Sequence, residues 1–191
     1  MEISIIEALP SDAPLIAEGV MAAVGDEICK EFAGENKTLA DVNHLFTELA
    51  MREDSQYSWQ NTRIAIDSNG NRLGICVAYP GSKLYELRKQ FIDKANEILD
   101  KNIKEGDLPD ETDGEEFYLD SLMVLPGYRG MGIGKKLIKD AYKRATLQGL
   151  PLGLLVEPEN RSARRLYDSL GMKEAGMRPF AGTMMHHLIL K

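Results

Sequence analysis

The chain has 191 residues, 43% hydrophobic and 28% charged, which is enough to bury one substantial core, and its length predicts a single domain over 1–191. Acidic residues outnumber basic ones by 30 to 23, and the formal charge of -7 argues against nucleic acid and mildly favours a cationic partner. Cys29 and Cys76 lie far apart with no second Cys or His at ligand spacing, so no metal site and no disulfide is expected. The N-terminal apolar run is broken by Glu7, unlike a signal peptide, and no apolar segment approaches the roughly 20 residues that span a bilayer. A cytoplasmic protein without membrane contact is expected.

Taken in order, Ile3 to Leu9 reads as a strand, and Pro10-Ser11-Asp12 as a turn and N-cap for a helix over Ala13 to Val24 that Gly25 stops. Thr38 caps a second helix carrying Leu39, Val42, Leu45, Phe46 and Leu49 at helical spacing, with His44 on its polar side. Tyr57 and Trp59 read as core packing, with pocket lining as the functional option. Ser68-Asn69-Gly70-Asn71 between Thr62 to Asp67 and Arg72 to Tyr79 predicts a β-hairpin.

Leu84, Leu87, Phe91, Ala95, Ile98 and Leu99 then outline a helix ending near Asn102. The acidic stretch from Glu105 to Glu116 reads as mobile, hydrated surface, or else as a lid that attracts a cationic amine. A strand from Phe117 to Val124 leads through a glycine-dense loop into a helix over about 132–148. Pro151 to Val156 follows as a buried strand, and the three together make a βαβ unit. A short helix capped by Ser162 and two strands, Met172 to Met177 and Thr183 to Leu190, complete the chain. On the last strand His186 and His187 point to opposite faces.

The loop after Phe117–Val124 sets bare amides at a helix N-terminus, which is an anion cradle. It is not a Walker A loop, since Arg129 stands five before Gly134 and Lys136 follows Lys135. Nor does Gly130-x-Gly132-x-Gly134 carry the dinucleotide spacing, which wants its third glycine one residue later. What remains is Arg129-x-x-Gly132-x-Gly134, joined one strand later by Asn160-x-x-Ala163-x-x-Leu166-Tyr167-x-x-x-Gly171-Met172.

Together the two motifs resemble the GNAT acetyltransferase superfamily, as does the element order along almost the whole chain. The resemblance implies an α/β (α+β) fold with a mixed, mostly antiparallel sheet and a central splayed parallel strand pair flanked by helices. It implies acetyl-CoA as acyl donor, with the amides of Leu122 and Val124 on the pantetheine arm and the segment Arg129, Gly130, Met131, Gly132, Gly134 and Lys135 on the pyrophosphate. Asn160 would bond the arm from the other side, and Lys135 or Arg164 would meet the outer phosphate. Tyr167 matches the family's general acid and is also cofactor-binding. Asp120, which shares strand parity with Leu122 and Val124, is the chosen base, with Glu116 or a water as rivals; a bulge would break that parity and raise Tyr118 instead. The implied reaction is N-acetylation of a primary amine on a small molecule or peptide by direct attack. A non-catalytic acyl-CoA-binding module and another acyl donor are the alternatives. An insertion at about 81–116 departs from the plainest family pattern and would shape the acceptor pocket. The oligomeric state is left open, with a homodimer among the options.

Overall fold

The computed structural model describes residues 2–191. Seven strands form one sheet: β1 (Ile3–Glu7), β2 (Thr62–Asp67), β3 (Arg72–Pro80), β4 (Phe117–Val124), β5 (Leu152–Val156), β6 (Lys173–Phe180) and β7 (Thr183–Leu190). Their order is β1-β2-β3-β4-β5-β7-β6, antiparallel throughout except for the β4–β5 pair. That pair is bridged by helix α5 (Ile133–Leu147), the crossover that a parallel connection requires. The remaining helices are α1 (Ala13–Val24), α2 (Asp26–Ala33), α3 (Leu39–Met51), α4 (Leu84–Ile98) and α6 (Arg161–Asp168).

The sheet divides two apolar cores. On one face α1 and α3 bury Ile16, Val20, Leu45 and Leu49 against Ile64, Ile75, Val77 and Met123. On the other, Ile133, Leu137, Ile138 and Ala141 of α5 pack on Leu73, Cys76, Leu119 and Leu154. Burial holds the Cys76 thiol up at about 12, so it stays protonated as a small apolar side chain.

The hairpin between β2 and β3 forms as expected. Asp67 accepts the N–H groups of Asn69 and Asn71, both at 2.9 Å, while Gly70 takes φ 81°. The capping box of α3 also forms: Thr38 Oγ1 accepts from Asp41 N–H, and Asp41 accepts the Thr38 N–H at 2.8 Å.

Gly25 stops α1 as expected, at φ 97°, and a further short helix, α2, begins just after it. Three expectations need correction. The N-cap of α6 is Asn160, not Ser162, because Asn160 Oδ1 accepts the Ala163 N–H at 3.0 Å. Strand β6 runs through Pro179 to Phe180, since β6 is a sheet edge where a missing N–H costs no ladder bond. Ala181 and Gly182 alone make the turn, both at positive φ as a two-residue hairpin demands.

The third concerns the acidic stretch, which is fastened rather than loose. The segment from Gly81 to Glu116 closes on itself, Gly81 N–H donating to Glu116 C=O at 2.8 Å. Arg88, 1% exposed on α4, donates to the carbonyls of Leu108 and Pro109 and to Asp110. Asn96 brackets Ile103 through both its amide atoms, and Arg178 on β6 reaches Asp113 at 2.6 Å. A buried guanidinium must find several acceptors, and the acidic loop supplies them. Glu111, Thr112 and Glu116 are consequently buried.

Candidate active site

Strands β4 and β5 stay paired only from Phe117–Leu152 to Leu119–Leu154 and then part. Beyond that point both expose main-chain edges, and a cleft of about 810 Å³ opens through the gap. Its walls come from α1, α2, β4, the glycine loop, α5, β5 and α6. Of the residues singled out from sequence, Asp120, Leu122, Val124, Arg129, Gly130, Gly132, Gly134, Lys135, Asn160 and Tyr167 all line it. Met131 does not; its side chain faces solvent, 53% exposed.

The direction of the β4 amides follows from ladder alternation. Leu125 N–H donates to Leu73 C=O at 2.9 Å, so Leu125 and Met123 bond toward β3. The N–H groups of Leu122 and Val124 therefore point the other way, into the splay. Arg129 Nε donates to the Val124 carbonyl at 3.1 Å, which ties the loop to that edge.

At the loop, Gly130 and Gly132 each take φ 79°, and nothing lies within 4 Å of where a Cβ would stand on either. Only glycine holds this turn while leaving its surface bare. The first intrahelical bond of α5 is Lys136 N–H to Gly132 C=O at 3.2 Å, which leaves the amides of Ile133, Gly134 and Lys135 directed out of the helix end. Open glycine surface, free amides and the positive helix end suit a diphosphate.

Across the cleft, Tyr167 on α6 is 7% exposed, and burial raises its phenol above the ordinary value. Asn160 caps α6 with its amide oxygen, leaving its amide N–H₂ as the free half. Replacing Asn160 by Ala should lower the thermal midpoint by about 2–4 °C, the equivalent of about 1 kcal/mol for a lost cap, read by a thermal melt. Arg164 does not line the cleft; it pairs with Asp168 at 3.0 Å and Glu174 at 3.2 Å.

A bulge at Asp120 breaks the parity expected of β4. Ser121 lies opposite Val77 and Leu119 opposite Ala78, so Asp120 is the extra residue. Leu122 and Val124 pack toward α5, whereas the Asp120 carboxyl turns to the opposite face. There it accepts from Tyr79 Oη at 3.1 Å and Ser121 Oγ at 2.8 Å, and Gln56 Nε2 donates to the same Tyr79 oxygen at 3.2 Å. Burial raises the Asp120 pKa despite those bonds. Tyr118 also reaches the cleft wall, with its phenol raised by burial.

Glu116, the rival carboxylate, is 1% exposed and faces His187 Nε2 at 2.8 Å instead of the cleft. His186 lies outward on Glu174. Neither histidine lines the cleft.

Sequence reasoning missed Glu111, which joins Asp120 and Tyr57 on the cleft wall. Its pKa is raised, first by burial and then by the charge of Asp120. The available signal was Arg88, a lone cation within the apolar stripe of α4, which needs an acidic partner in the core.

A parallel strand pair splayed beside a glycine-capped helix, with a second capped helix across the gap, defines an acyltransferase fold of the mixed α/β type. The family model described as "Acetyltransferase (GNAT) family" matches residues 37–172, and the chain belongs to that family. A solved structure described as an acetyltransferase is 26% identical, with 98% of each chain covered and a TM-score of 0.80. The N-acetyltransferase from Staphylococcus aureus Mu50 shares the fold at a TM-score of 0.82 and 21% identity, over 98% of this chain and 100% of that one. A thialysine N-epsilon-acetyltransferase from Bos taurus is 40% identical over 62 residues, a match spanning 32% of this chain and 36% of that protein.

Proposed function

We propose that the chain transfers the acetyl group of acetyl-CoA to the nitrogen of a primary amine by direct attack. The observation that carries this reading is one continuous cleft with free backbone donors at its α5 end and the carboxylates Asp120 and Glu111 at the other. Acetyl-CoA is the donor the family uses, and it supplies an acyl carbon activated as a thioester. The bare glycine surface and the amides of Ile133, Gly134 and Lys135 fit its diphosphate, and the outward N–H groups of Leu122 and Val124 fit the amide-bearing arm as an added strand would.

An alkylamine arrives protonated and must lose that proton before it can attack. Asp120, its pKa raised by burial, accepts it, directly or through water, with Tyr79 and Ser121 fixing the carboxylate. The N–C bond then forms as the C–S bond breaks, the surplus proton on nitrogen passes through water to the departing thiolate, and Tyr167 donates a hydrogen bond to that sulfur as charge gathers on it. The N–H of Leu122, directed into the splay, steadies the carbonyl oxygen as it gains charge.

The test is thiol release from acetyl-CoA with a panel of primary amines, with acetylated product identified by mass. Asp120→Asn should lower kcat/KM about 100-fold near neutral pH. The wild-type rate should fall as pH drops through the raised Asp120 value, because the protonated carboxyl cannot accept; the Asn variant should lack that acid limb. A variant that keeps the limb would move the base elsewhere. Thiol release absent with every amine, in protein that binds acetyl-CoA, would leave a coenzyme-binding module.

A further inference from the structure

A second cavity, of about 240 Å³, adjoins the cleft and shares with it Val24, Ile28, Tyr57, Glu111 and Phe180. Its remaining walls are mostly aromatic and apolar, led by Phe32, Phe46, Phe91 and Cys29. The rings are held by each other: Phe32 stacks on Phe91 at 5.6 Å, and Phe46 meets Tyr57 edge-on at 4.9 Å. The cavity is therefore preformed.

Two charged residues reach it, and they play unequal parts. Arg88 spends both terminal nitrogens on the carbonyls of Leu108 and Pro109 and on Asp110 and Glu111, so it offers no clamp for a ligand carboxylate. Glu111 leans on Arg88 through one oxygen at 3.5 Å, and its other oxygen has no hydrogen-bond partner among the described residues. Glu111 also stands where cavity and cleft meet.

We infer that this cavity receives the apolar group of the acceptor, an aryl-alkyl primary monoamine whose ammonium sits at the Glu111 carboxylate on the way to Asp120. The inference rests on the transfer reading above and names its substrate class. An apolar cavity of about 150 Å³ is enough to hold a benzene ring, so this one takes a single ring with a short chain. Among the described lining residues Glu111 is the one carboxylate, so the second ammonium of a polyamine would be left in aromatic surroundings without a counter-charge. A free α-amino acid would likewise bring a carboxylate to a site whose one cation is already spent.

The full chain is assayed for thiol release with acetyl-CoA and, in turn, 2-phenylethylamine, spermidine, thialysine and a lysine-containing peptide. Binding of 2-phenylethylamine alone is followed by calorimetry. The expected result is a kcat/KM for 2-phenylethylamine at least tenfold above the other three, and a KM raised at least tenfold in Glu111→Gln with an unchanged melting point. Preference for spermidine, thialysine or the peptide overturns the substrate class and leaves the transfer reading standing. Binding of 2-phenylethylamine, weakened in Glu111→Gln, without thiol release from any acceptor upholds the cavity's ligand class and overturns the transfer. No binding overturns the cavity assignment whatever the transfer assay shows. If Glu111→Gln melts early, Phe91→Leu, which loses a ring and keeps an apolar wall, should erode the preference for the aryl amine on its own.

Discussion

Tyr167→Phe should lower kcat about 100-fold while the KM for acetyl-CoA moves less than about threefold. The ring keeps its place in either variant, because Tyr167 packs into the α5 core on a helix whose cap is Asn160. What is lost is one hydroxyl facing the cleft. Removing a single placed proton donor costs on the order of 10²-fold or more in turnover. The surroundings do not ease the phenol toward the thiol range; burial pushes it the other way. Complete proton transfer to a thiolate of about 8.5 is then uphill, and the phenol contributes as a hydrogen-bond donor that strengthens as negative charge gathers on sulfur. The pH profile follows with a definite sign. An acid must be protonated to act, and Tyr167 remains so well past neutrality, so no loss of rate assignable to it should appear below about pH 10. A Phe variant with unchanged kcat and a raised KM would reduce Tyr167 to a coenzyme contact.

The outline of this fold was legible because its signals are local. The Asn-Gly turn, the Thr38 cap, the stripe of α5 and the wholly apolar β5 each follow from residues within a few positions of one another. The glycine loop was equally readable, since positive φ at Gly130 and Gly132 leaves few residue choices. What escaped depends on partners far away in the chain. Helix α2 is only eight residues long between two glycines, with Ile28, Cys29, Phe32 and Ala33 as its apolar face, too short for periodicity to assert itself. The bulge at Asp120 has no sequence mark at all, and it moved a carboxyl from one face of the sheet to the other. Composition alone made the acidic loop look solvated, although Arg88 buries part of it. The end of the cleft built from α1, α2 and that loop was therefore the least visible part of the site.

Gly153→Ala should be among the most destabilising single changes in the protein, lowering stability by roughly 3–5 kcal/mol. Gly153 lies on β5 opposite Tyr118, and an added Cβ there would stand inside the Glu116 carboxylate. The carboxylate would have to leave its place. Glu116 is 1% exposed, held to His187 at 2.8 Å, and its Oε1 finds no partner among the described residues. His187 in turn meets Arg178, which reaches Asp113, so the displacement pulls on the chain of contacts that fastens the insertion to the β6–β7 hairpin. Overpacking alone costs about 1–3 kcal/mol, and the larger figure applies because the clash separates a buried carboxylate from His187, its side-chain partner among the described residues. At about 2–4 °C per kcal/mol for a chain of this size, the thermal midpoint should fall by on the order of 10 °C. The cause is separable by a double-mutant cycle with Glu116→Ala. That substitution empties the space the new methyl needs, so Gly153→Ala should cost far less in its presence than alone. Strictly additive losses would place the penalty in the β5 backbone and remove Glu116 as the reason a glycine stands at 153.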